Sequence, residues 1–100
     1  MNIYLVCNAG MSTSILVKRM REAAIIKEID VHIEAFCVEV LDKIKDQADV
    51  VLVGPQIRYM LPKIKSIVNE GCPVEIINMS DYGLVNGKKV LERALELFKK

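Results

Sequence analysis

One stretch of this 100-residue sequence gathers residue types able to do covalent chemistry: Cys7-Asn8-Ala9-Gly10-Met11-Ser12-Thr13-Ser14. It follows an apolar run from Ile3 to Cys7 and leads into a helical pattern. A cysteine acts as a nucleophile in its thiolate form. Gly10 permits a sharp backbone turn in which successive N–H groups converge on one point. Ser12, Thr13 and Ser14 favour a helix start and supply hydroxyl donors. The helix N-terminus adds roughly half an elementary positive charge. Together these features describe a nest for a dianionic phosphate. A cysteine at its mouth sits where the thiolate is favoured, and donors that hold a thiolate can also hold a phosphoryl group bonded to it. One loop then serves as activator of the nucleophile and cradle of its product. The ordinary alternative is a strand-end cysteine buried as a small hydrophobe. The glycine and hydroxyl cluster directly after Cys7 favour the chemical reading.

The remaining reactive residues are scattered. His32, the only histidine, falls early in the second apolar run, at the far end from Cys7 if the strands are parallel, and reads as structural. Cys37 follows that run and can approach the reactive edge, but reads as a packing residue. Cys72 precedes Pro73 on the opposite edge. With three cysteines and no CxxC pair, neither a disulfide framework nor a zinc site is expected, and a reducing compartment fits. There is no GxGxxG fingerprint and no metal-ligand cluster, so no cofactor or metal is expected. Gln56, Arg58 and Tyr59 read as a loop after the third run, facing solvent or approaching a phosphoryl group or partner. Asp81 and Tyr82 read as part of the same rim, with an Asx-type turn as the alternative for Asp81. Met11 reads as an exposed, adaptable docking residue.

Positioning such a loop requires a buried strand before it and a helix after it. Four Val/Ile-rich runs have strand length: Ile3–Cys7, Val31–Phe36, Val50–Gly54 and Val74–Ile77. Helical patterns separate and follow them. The first spans about Ser12 to Ile26, with Ile15, Leu16, Met20, Ala23 and Ala24 inward. The second is short, about Val38 to Lys45, with Leu41 and Ile44 inward. The third spans about Met60 to Glu70, with Leu61, Ile64, Ile67 and Val68 inward, Pro62 in its first turn and Gly71 as C-cap. The last spans about Gly87 to Lys100, with Val90, Leu91, Ala94, Leu95 and Phe98 inward. The alternation β-α-β-α-β-α-β-α implies an α/β fold: an open four-stranded parallel sheet, order 2-1-3-4, with helices on both faces. In that order the switch point lies between strands 1 and 3, so the loops after Val6 and Val53 should face each other.

Composition narrows the partners. Residues 1–100 are expected to form one domain, with 52% hydrophobic residues to build a core. The 14 basic and 13 acidic side chains give a net charge of +1, which argues against nucleic acid. The uncharged stretch from Ile3 to Val17 is too polar to span a membrane, and Met1-Asn2-Ile3-Tyr4 lacks the basic start of a signal peptide. A cytoplasmic monomer is expected.

Three blocks carry a family resemblance. Ile3 to Ser14, Ala48 to Pro62 and Tyr82-Gly83 before the last helix are similar, in that order, to enzyme IIB of the bacterial phosphotransferase system, in its lactose/cellobiose/chitobiose branch. The resemblance spans nearly the whole chain. It implies a fold like that of low-molecular-weight tyrosine phosphatases and a phosphocysteine carrier. Such a carrier takes a phosphoryl group from a phosphohistidine of enzyme IIA and passes it to a sugar moving through the membrane component, enzyme IIC. On that resemblance Cys7 is the phosphorylated nucleophile, and Asn8, Ala9, Gly10, Met11, Ser12 and Thr13 form the phosphate loop.

The nearest competing chemistry is that phosphatase family's Cys-x5-Arg loop. Counting from Cys7, the arginine position holds Thr13, so the bidentate guanidinium clamp is missing. Asp81 is followed by Tyr82, where the phosphatase has an Asp-Pro general acid. Without clamp or acid, water should attack a phosphocysteine slowly. A carrier needs that persistence so that a sugar hydroxyl is the acceptor. A phosphatase-like protein and a non-catalytic phosphate-binding module are the alternatives. The sequence does not name the sugar.

Overall fold

The computed structural model describes residues 1–7 and 11–99, and of Met11 and Ser12 the backbone alone. Four strands form one parallel sheet in the order β2-β1-β3-β4: β1 (Asn2–Cys7), β2 (His32–Cys37), β3 (Val50–Val53) and β4 (Val74–Ile76). This is the expected order. Register runs from Asn2↔His32 to Cys7↔Cys37 between β1 and β2, from Ile3↔Val50 to Val6↔Val53 between β1 and β3, and from Val51↔Val74 to Val53↔Ile76 between β3 and β4.

Strand alternation splits the core in two. Ile3, Leu5, Ile33, Val50 and Leu52 project to one face, under helices α1 (Met11–Ile26) and α5 (Gly87–Lys99). Val6, Val51 and Val53 project to the other, under α2 (Leu41–Ile44) and α3 (Leu61–Ile67). The two helices on the first face meet at Gly87. A Cβ there would lie 2.4 Å from the carbonyl carbon of Arg19 and 2.5 Å from the Met20 nitrogen, so no side chain fits.

Several expectations are corrected. In α1 the buried face is Thr13, Leu16, Val17, Met20 and Ala24, while Ile15 is 52% exposed. Ile15, Leu16 and Val17 span about 200° of helix, so a single inward stripe cannot hold all three. Phe98, in the last turn of α5, is likewise half-exposed. Helix α3 stops at Ile67, and Val68 leaves it extended. Gly71 is therefore not a helix cap. It takes φ +91 in a tight turn closed by Cys72 N–H donating to the Asn69 carbonyl at 3.1 Å. Residues 55–59, expected as loop, form 3-10 turns begun by Pro55 that also take in Met60, expected to open the third helix. A further helix, α4 (Met79–Gly83), follows β4 where the sequence shows no helical period. Asn78 caps it, its Oδ1 accepting from Asp81 N–H at 3.1 Å, so the local Asx-type bond belongs to Asn78 and not to Asp81.

The short edge strand β4 is fastened from above. Nε and Nη2 of Arg93 on α5 each donate to the Glu75 carboxylate at 2.7 Å, a bidentate pair. No helix among the described residues is long and apolar enough to cross a membrane.

Candidate active site

β1 ends at the carboxyl edge of the sheet, and Cys7 is its last residue. Continuing the alternation of Ile3 and Leu5, its side chain turns toward α1 and is 5% exposed. There its Sγ lies 3.0 Å from Oγ1 of Thr13, which is fully buried in the first turn of α1. Either atom can donate; with a thiolate, the threonine hydroxyl does. The sequence thus sets a thiol and a hydroxyl six residues apart and the helix start brings them together.

The loop after β3 borders the same point. Gly54 N–H donates to the Val6 carbonyl at 2.9 Å. A Cβ on Gly54 would lie 3.7 Å from Cys7 Cβ and 3.5 Å from the Val6 oxygen. The loop following β3 therefore borders the end of β1, where the switch-point rule places it. Gly54, the last residue of the third apolar run, thus opens the loop expected beside the end of β1.

Of the other candidates, Asn8, Ala9 and Gly10 lie outside the described residues, as do the side chains of Met11 and Ser12. Arg58 and Tyr59 share an open groove of about 530 Å³ with Pro55, Met79 and Tyr82. Asp81 does not join them; it borders a separate cavity beside Arg93 and β4. The expected single rim is therefore divided. His32 pairs with Asn2 at the far edge and is exposed, with Nε2 3.2 Å from Glu34 Oε1. Cys72 stands before β4, half-buried; burial, then the Asp49 charge, raise its thiol pKa. Cys37, read as a packing residue, is exposed and stands in register beside Cys7. Among the described residues no group of His, Cys, Asp and Glu could hold a metal ion.

Residues 2–93 match the family model described as "PTS system, Lactose/Cellobiose specific IIB subunit". The chain is 39% identical over 99 residues to the oligo-beta-mannoside-specific EIIB component of Bacillus subtilis, covering 95% of this chain and 93% of that one. It is 39% identical over 101 residues to the galactose-specific EIIB component of Lactococcus lactis subsp. cremoris, covering 95% and 94%. The solution structure of the cellobiose-specific IIB component from Borrelia burgdorferi superposes with a TM-score of 0.83 at 47% identity, covering 99% of this chain and 92% of that one. The chain belongs to the lactose/cellobiose-specific IIB family of the PTS, and with it to the machinery of sugar phosphotransfer.

Proposed function

We propose that this chain is a cytoplasmic phosphocysteine carrier, a protein-phosphohistidine–sugar phosphotransferase. The observation that carries the reading is the buried Cys7 Sγ with Thr13 Oγ1 3.0 Å away at the switch point of the sheet. In the first step the Cys7 thiolate attacks the phosphorus of enzyme IIA's phosphohistidine. The S–P bond forms, the P–N bond breaks, and the imidazole leaves with the electron pair. Thr13 and the loop Asn8–Ser12 then donate to the phosphoryl oxygens. In the second step a sugar hydroxyl attacks, the O–P bond forms and the thiolate departs. The hydroxyl proton goes to a base of the enzyme IIC complex.

The hydroxyl at position 13, where a phosphatase would hold arginine, suits a carrier. It stabilises the thiolate without clamping the phosphoryl group for water attack. The acceptor is a β-linked disaccharide of the cellobiose, chitobiose or lactose type. Relatives at 39%, 39% and 47% identity are named for three different sugars, which supports sugar choice by the membrane partner.

The test is incubation with phosphoenolpyruvate, the general phosphotransferase proteins and a matching enzyme IIA, followed by intact-mass analysis and peptide mapping. Phosphate on Cys7, stable to water and discharged by sugar with membranes carrying enzyme IIC, is expected. No phosphate, or the same amount on Cys7→Ser, overturns the reading. Rapid loss to water would identify a phosphatase instead.

A further inference from the structure

Cys7 and Cys37 are the final residues of adjacent parallel strands, and they are register partners. Parallel neighbours stand about 4.8 Å apart. That spacing falls within the roughly 4.4–6.8 Å between Cα atoms that a disulfide spans. Partners in a parallel ladder point to the same face. The preceding partners agree, because Ile3 and Ile33, then Leu5 and Ala35, all pack into the core under α1. The two thiols therefore share the α1 side of the carboxyl edge. Their exposures differ: Cys7 is nearly buried, whereas Cys37 is open to solvent. The ladder ends at this pair, and the chain after Cys37 turns at once into a 3-10 segment from Val38 to Val40. The end of the ladder can therefore draw together without breaking later strand bonds.

We infer that Cys37 is a resolving thiol for Cys7, so that a hydroperoxide closes a reversible Cys7–Cys37 disulfide and takes the nucleophile out of use. The Cys7 thiolate attacks the peroxide O–O bond, giving a sulfenic acid and hydroxide. The Cys37 thiol then attacks the Cys7 sulfur, the S–S bond forms, and water leaves with the sulfenic oxygen and the thiol proton. A dithiol reductant returns both thiols. In-register parallel strands hold their Cβ atoms near the strand spacing, wider than the roughly 3.5–4.5 Å of a relaxed disulfide, so the bond is strained and easily reduced. Strain of that kind suits a protective cap and not a permanent staple. Cys72, at the start of β4, lies at the opposite sheet edge and takes no part.

The loss of phosphoryl uptake on oxidation rests on the phosphocysteine reading; the disulfide itself does not. The test treats the purified chain with a few equivalents of hydrogen peroxide and maps it by mass. A species lighter by two hydrogens, with the Cys7 and Cys37 peptides cross-linked and separated again by dithiothreitol, is expected. Cys37→Ser, or Cys37→Ala, should instead carry two or three oxygens on Cys7 that dithiothreitol does not remove. Both variants should accept phosphate before peroxide as readily as the parent. Oxygens on Cys7 of the parent chain without a cross-link, or a cross-link to Cys72, overturn the inference. Phosphate uptake is measured separately on untreated protein. Its absence there strikes the carrier reading while leaving the cross-link result intact.

Discussion

A thiol and a hydroxyl 3.0 Å apart, both buried, are coupled by one proton. In the resting pair either can donate; once Cys7 is a thiolate only Thr13 can. Thr13→Val keeps the shape and removes that donor. A hydrogen bond to a charged group contributes about 1.5–3 kcal/mol. Cys7 alkylation and phosphoryl uptake from enzyme IIA should therefore slow by at least about tenfold in this variant. Its urea midpoint should move little, since the neutral pair contributes only about 1 kcal/mol. Equal rates in parent and variant would remove Thr13 from the chemistry. At this scale the sequence was readable because a glycine and three hydroxyl residues cluster beside one cysteine. Cys37 was harder to read, because its nearness to Cys7 exists only once two strands share a register. Tyr82, read onto the rim with Arg58 and Tyr59, does join their groove, carried there by helix α4.

Helix faces are set by what each helix packs against, and this is where periodicity misplaced residues. Three consecutive apolar residues, Ile15, Leu16 and Val17, cannot reveal which two face inward; the sheet decides, leaving Ile15 outside. The five-residue α4 is too short for any periodic signal, and only its Asn78 cap announces it. Glycines in helices separate local preference from packing. Gly87 opens α5 against the Arg19 backbone, and a methyl group there would sit 2.4 Å from a backbone carbon. Gly83 ends α4 with nothing within 4 Å of an added Cβ. Gly87→Ala should destabilise by about 2–3 kcal/mol through overpacking. Gly83→Ala should stabilise by up to about 1 kcal/mol through helix propensity and a less free unfolded chain. Denaturant unfolding of both variants checks the pair, and a shift of the same sign in each would refute the packing account.

Across the whole molecule the two ends of the sheet differ, with the Cys7–Thr13 pair at the carboxyl edge and the buried Tyr4 toward the other. Tyr4 is held above the ordinary tyrosine pKa of 10.0 by burial first, then by the Glu34 and Asp49 carboxylates. Cys72 is held above 9.0 by burial and Asp49. Both are neutral acids whose folded pKa is raised, so the unfolded chain releases these protons first. Their stabilising effect is whole below the unfolded values and is lost as pH climbs through the folded ones. The urea midpoint should fall as pH rises above about 8.5, the unfolded thiol value, and Tyr4→Phe with Cys72→Ala should flatten that fall. An unchanged midpoint in the parent chain would refute it. Strand order and the switch point were legible from alternation alone, because handedness and short links leave few topologies. The Glu75–Arg93 fork was not, since nothing in the local sequence of β4 points to α5. That fork also acts as a ruler. A slip of β4 by its two-residue period would carry Glu75 about 7 Å along the edge, beyond the guanidinium's reach. Helix α4 begins three residues after the end of β4. The ion pair therefore sets where Tyr82 arrives, and an edge contact between β4 and α5 measures out the groove that Tyr82 shares with Arg58 and Tyr59.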